Sequence, residues 1–121
     1  MYLLESGEDY LECIYKLSLN KNGVHAIDIA NELNFSKPSV SIALKKLKNQ
    51  GYITIDTENH VILTKTGLLI AKEIYERHQT LTTLLIKLGI DEKTACEEAC
   101  KIEHDISPTT FEALKKLIDK L

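Results

Sequence analysis

The amino-acid sequence predicts a mainly α-helical protein in which a winged helix-turn-helix unit, residues 1–65, precedes an all-helical unit, residues 66–121. Three observations carry that expectation. Apolar residues recur at helical spacing along most of the chain. The period changes to alternation once, in "YITIDTENHVILT". The longest helical stripe follows directly after that change.

The first helix is expected to start at Ser6, a capping residue with Asp9 reaching back in a capping box, and to run through "DYLECIYKLSL". Tyr10, Leu11, Ile14 and Leu17, with Tyr15, form its apolar face, and "NKNG" stops it. "HAIDIANELN" follows as a short helix with Ile27, Ala30 and Leu33 inward, ending at Asn34. In "KPSVSIALKKLKNQG", Ser36 suits the N-cap, Pro38 the first turn and Gly51 the position past the end, while Val40, Ala43, Leu44 and Leu47 point inward. Two short helices joined by so brief a turn make a helix-turn-helix, whose second helix is the one that enters a groove.

The alternating runs around "DTEN" read as a hairpin, the wing, with His60 among its tip residues. From Thr66 a long helix is expected to reach Leu88, with Ile70, Ile74, Leu81, Leu85 and Leu88 on one stripe, His78 on the same stripe and Gly89 ending it. "DEKTACEEACKIEHDI", capped by Asp91, is the next helix. Ser107 and Pro108 open the last, with Phe111, Leu114, Ile118 and Leu121 aligned.

Composition narrows the function classes. At 121 residues, with 44% hydrophobic and 27% charged residues, the chain has the mix of a globular protein rather than a disordered one. No apolar run reaches the roughly 18 residues needed to span a bilayer and "MYLLESGEDYLEC" has no signal-peptide pattern, so a cytoplasmic protein without membrane contact is expected. The three cysteines cannot all pair within one chain and are expected as free thiols. The net charge of −3 conceals segregation. Between Lys37 and Lys48 the only charges are Lys37, Lys45, Lys46 and Lys48, whereas acids dominate from Asp91 to Asp105.

The acidic stretch holds the chemistry. On a helix, positions i, i+3 and i+4 share one face, so Cys100, Glu103 and His104 lie together, and Asp9, Glu12 and Cys13 repeat that spacing. With His78 added, these side chains supply imidazole, carboxylate and thiolate, the usual ligands of divalent transition metals. Each also has a purely structural role open to it. Asp9 suits a capping box and Glu12 a solvated face; His78, Cys13, Cys96 and Cys100 suit a core, and Glu103 beside His104 suits a surface.

With those residues in view, the chain resembles the diphtheria-toxin-repressor family of metal-dependent transcriptional regulators, including its shorter manganese-responsive branch. "EDYLECIYKL", "IANELNFSKPSVSIALKKLKNQGYI", "LTKTG", "YERH" and "EEACKIEH" carry the resemblance, in that order. It implies metal ligands at Asp9, Glu12, His78, Cys100, Glu103 and His104. Asp9 is like the manganese-type branch and Cys100 like the iron-type branch. The ancillary site of some members would need an acid at Thr82 and a histidine at Cys96, although Cys96 shares the face of Cys100 and can reach a metal from there. The SH3-like third domain of longer members is not expected.

The resemblance further implies a repressor, not an enzyme, that binds double-stranded DNA at palindromic operators when loaded with divalent metal. The helices after the wing carry more apolar surface than so short a chain can cover, so a homodimer is expected. Ser36, Lys37, Pro38, Ser39 and Ser41 would lie near base edges, and Lys45, Lys46 and Lys48 near phosphates. The mixed ligand set points to iron(II) first and manganese(II) second, with zinc(II), cobalt(II) and nickel(II) able to bind in vitro. Three rival readings remain open from sequence: a regulator that senses thiol redox state, a small metal-dependent hydrolase, and a dimeric adaptor whose basic helix binds protein. No small organic substrate is expected.

Overall fold

The computed structural model describes residues 5–121, and among these it holds six helices and one two-stranded sheet, the mainly α fold expected. Contacts divide the chain into two compact units, Met1–Lys72 and Glu73–Leu121.

In the first unit, α1 (Glu5–Ser18) buries Tyr10, Leu11, Cys13 and Ile14. Ser6 lies inside this helix, so the expected cap and its capping box with Asp9 are corrected: a capping residue must have non-helical backbone. α2 (Ala26–Leu33) begins at His25, whose backbone is extended and whose N–H donates to the Asp28 carboxylate at 2.8 Å. Lys21 lies 2.8 Å from the other oxygen, and its hydrogen bond, followed by that of the His25 N–H, holds the Asp28 carboxyl below its ordinary range. α2 buries Ile29 and Ala30, leaving Ile27 exposed where it was expected inward. The inward direction passes between Ile29, Ala30 and the half-buried Leu33, about 110° of helical rotation from Ile27.

Asn34 ends α2 in the left-handed conformation (φ 57°), a position asparagine tolerates. α3 (Lys37–Asn49) then opens as expected, with the Ser36 hydroxyl accepting the Ser39 N–H at 3.3 Å and Pro38 in the first turn. Val40, Leu44 and Leu47 face the core, and Gly51 (φ 84°) turns the chain out of the helix.

β1 (Ile53–Ile55) and β2 (Val61–Leu63) pair antiparallel with Ile53 opposite Leu63 and Ile55 opposite Val61. The Asp56 carboxylate closes the connecting turn by accepting the N–H groups of Glu58 and His60. His60, expected at the wing tip, is folded back. Its Nδ1 lies 3.0 Å from Asp56 Oδ2 and its ring meets that of His25 at 4.8 Å, because the aspartate captures it from four residues away. Thr64 then locks the exit from the wing, donating its hydroxyl proton to the Gly51 carbonyl at 2.7 Å and accepting the Gly67 N–H at 3.2 Å. α4 (Lys65–Lys87) starts there. A Cβ on Gly67 would lie 2.1 Å from the Tyr52 carbonyl oxygen, so only glycine fits this crossing without backbone movement.

In the second unit, α4 buries Ile74, Arg77, Leu81 and Leu84. The helix stops at Lys87, so Leu88, expected to close the apolar stripe, is exposed and Leu85 only half-buried. α5 (Glu92–Ile102) is capped by Asp91, whose carboxylate accepts the Thr94 N–H at 3.0 Å, and it buries Ala95 and Ala99. It was expected to continue through Ile106. Instead Glu103 is its C-cap and residues 103–106 form a turn. α6 (Pro108–Ile118), capped by Ser107, buries Phe111, while Leu114 and Ile118 are half-buried and Leu121, expected on the same line, lies exposed beyond the helix. Among the described residues, no helix is long and apolar enough to cross a membrane.

Candidate metal centre and nucleic-acid interface

The turn that ends α5 builds the centre of the second unit. Glu103 is 0% exposed, an environment in which a carboxyl group is neutralised, paired or matched with a cation. One oxygen, Oε2, lies 2.9 Å from His78 Nδ1 on α4. The other, Oε1, is buried and has no hydrogen-bond partner among the described residues; His104 Nε2 stands 3.4 Å from it. A buried carboxylate oxygen beside an imidazole suits a divalent cation chemically, so the donors fit the group that the sequence led us to expect. The second nitrogen of His78, Nε2, lies 3.5 Å from the Cys96 thiol. Cys100, one turn on from Cys96, is exposed.

A residue that the sequence analysis passed over holds this turn in place. Arg77 is buried, and its Nη1 donates to the carbonyl oxygens of Glu103 at 3.1 Å and Ile106 at 2.8 Å. Its guanidinium lies over the Phe111 ring, 5.4 Å from the centroid, and Nη2 is 3.5 Å from Glu73. These bonds satisfy the carbonyl of the α5 C-cap and that of Ile106 in the turn that follows, so the chain that leaves the helix short of the expected boundary is braced against α4. The signal was present in the sequence: Arg77 interrupts the buried stripe Ile74, Leu81, Leu84 at helical spacing.

Asp9 and Glu12 belong to α1 in the first unit, where Asp9 is half-buried and Glu12 only 7% exposed. Cys13 sits in the apolar core of that unit, and burial, then the Glu32 carboxylate, pushes its thiol up to about 12. Such a thiol stays protonated at neutral pH and behaves as a small apolar side chain.

Ser36 at the N-cap of α3 and Lys37, Pro38, Ser39, Ser41, Lys45, Lys46 and Lys48 within it are all exposed. Ser36 is committed locally, since its hydroxyl accepts the Ser39 N–H and donates to the Ser39 hydroxyl at 2.8 Å. Lys45 and Lys48 edge a groove shared by α3, the start of α2 and the wing residues Ile55 and Asn59.

Comparison with known proteins finds relatives for both parts of the chain. Residues 2–61 match the N-terminal DNA-binding domain of the iron-dependent repressors, and residues 64–121 their metal-binding and dimerisation domain. An uncharacterised helix-turn-helix transcriptional regulator of Methanocaldococcus jannaschii is 39% identical over 118 residues, covering 96% of this chain and 94% of its own. The transcriptional regulator MntR of Salmonella typhimurium is 34% identical over 106 residues, covering 88% and 68%. Among solved structures, the manganese regulator SloR superposes with a TM-score of 0.84 at 32% identity over 93% of this chain. The chain spans about half of that protein, 53%. These relatives are regulators, which leaves the hydrolase reading without support.

Proposed function

The chain belongs to the iron-dependent, or diphtheria-toxin, repressor family of metal-dependent transcriptional regulators, and on that premise we propose that it is a homodimeric repressor of metal-homeostasis genes that binds palindromic operators when loaded with iron(II) or manganese(II). The observation that carries this reading is Glu103, a carboxylate sealed from solvent between His78 and His104 with one oxygen lacking a hydrogen-bond partner.

We assign residues 1–65 to DNA binding and 66–121 to metal binding and dimerisation. His78, Cys100, Glu103 and His104 with Asp9 and Glu12 are the proposed ligands, and Cys96 is an auxiliary donor. A divalent cation, when bound, supplies the positive charge that balances these carboxylates. Arg77 keeps the Glu103–Ile106 turn in register with His78, so the donors are held ready before loading. Loading changes operator affinity only as far as the cation prefers the DNA-competent conformation, and the coupling typical of such switches is about 1–3 kcal/mol, or roughly 5- to 150-fold. Asp9, Glu12 and Glu103 are hard donors suited to manganese or iron. The Cys100 thiolate, with Cys96 beside His78, shifts the balance to iron(II) as first choice. The manganese regulators among the relatives support manganese(II) as the second.

The test is a gel shift on the DNA upstream of the protein's own gene, in EDTA and then with iron(II) or manganese(II) added anaerobically. Wild type is expected to shift only with metal, and Glu103→Ala under neither condition. Equal shifting of both proteins in EDTA would overturn the proposal, and a response to thiol oxidation but not to chelator would favour the redox reading.

A further inference from the structure

We propose that Ile42 is a specificity residue that reads the methyl group of a thymine in the major groove, an inference that rests on α3 being the DNA-reading helix. Ile42 is 71% exposed, the most exposed of the large apolar side chains among the described residues. At about 100° per residue it points about 170° away from the mean direction of Val40, Leu44 and Leu47, the three buried residues of α3. It therefore contributes nothing to the core of its unit. Isoleucine also has a slightly lower helix propensity than the unbranched residues available for an exposed helical position, so neither packing nor propensity accounts for it.

Its neighbours identify what covers it. Pro38 lies one turn earlier on the same outward pole, and Lys45 and Lys46 flank it one turn later, all three exposed. The lysines supply the charge that phosphates require, while Pro38 and Ile42 form a short apolar strip between them. Isoleucine has no hydrogen-bonding atom on its side chain and cannot read the donors and acceptors of base edges. The thymine C5-methyl is the one apolar group that base pairs present in the major groove, and it is the partner an aliphatic side chain in that groove can discriminate. Ile42 stands in the second turn of α3, within the N-terminal part of a recognition helix that approaches bases.

The experiment selects the tightest duplexes from a randomised pool with the full chain in manganese(II), or anaerobically in iron(II), then replaces each thymine of the best duplex by uracil, which deletes only the methyl. Wild type is expected to lose about fourfold in affinity at one thymine of each half-site, the value of one buried methyl-sized group. Ile42→Ala should bind the thymine duplex more weakly and respond to that replacement not at all. Lys46→Ala should weaken thymine and uracil duplexes alike and reduce the salt dependence of binding. A wild type that binds duplex yet ignores every replacement would overturn the contact while leaving DNA binding intact, as would Ile42→Ala retaining the wild-type response. Failure to enrich any duplex with either metal would overturn the functional reading along with it.

Discussion

Glu103 has to be understood with what surrounds it, because a carboxylate cut off from water is stable only when its charge is met. Replacing it by glutamine keeps the shape and removes the charge. In EDTA, Glu103→Gln should be at least as heat-stable as wild type, since the amide keeps the shape, can still meet His78 Nδ1 and needs no cation. In manganese(II) or iron(II) the order should reverse: wild type gains about 2.7 kcal/mol at a hundredfold excess over the dissociation constant, and the variant gains little. A thermal scan in each condition checks this, and identical metal-induced shifts in the two proteins would remove Glu103 from the ligand set. Arg77 supports Glu103 through backbone, so its loss acts at one remove. Arg77→Met keeps a side chain over Phe111 but leaves the Glu103 and Ile106 carbonyls without their donor, at a cost of about 1–3 kcal/mol. Metal affinity should fall about 10- to 100-fold, as for other residues that orient ligands, read by calorimetric titration; unchanged affinity would make Arg77 purely structural. The sequence placed Glu103 and His104 one after the other and His78 on its stripe, but 0% exposure of an acid in an acidic stretch had no local sign.

At the level of elements, the local signals mark most beginnings. Ser36, Asp91 and Ser107 each accept the N–H three residues on, as their types and positions predict. The ends were harder. α5 ends at Ile102, and the turn that follows is held by an arginine 26 and 29 residues earlier than the carbonyls it bonds, information that no window of adjacent residues contains. The junction of wing and α4 is set in the same way by Gly67 against the Tyr52 carbonyl. Gly67→Ala would raise intrinsic helix propensity, and in an isolated helix it would stabilise. Here it should destabilise by about 1–3 kcal/mol, the usual cost of forcing an added group into a filled space. Chemical denaturation gives the sign directly, and a stabilised variant would show that the crossing relaxes without strain.

For the molecule as a whole, reading a palindrome demands two copies of α3 spaced by about 34–36 Å, one turn of the duplex, so assembly is part of the function we propose. Ile86 and Leu117, on α4 and α6, remain exposed at 43% and 41% and suit burial against a second copy. Changing both to lysine should convert a dimer into a monomer in analytical ultracentrifugation and abolish operator binding, with helical content retained by circular dichroism. A double variant that stays dimeric would move the interface elsewhere. What the sequence determined by itself was whatever depends on neighbours along the chain: helical periods, caps, the hairpin turn, the lysines of α3 and the spacing of acids, thiols and imidazoles. Only the tertiary structure decided which of these are sealed from water, that Ile27 and Leu88 face out, that His60 folds back, and that Arg77 braces the turn after α5. Those outcomes depend on the solvent exclusion and hydrogen-bond partners that folding supplies, several of them across intervals of 25 to 29 residues, over which periodicity carries no signal.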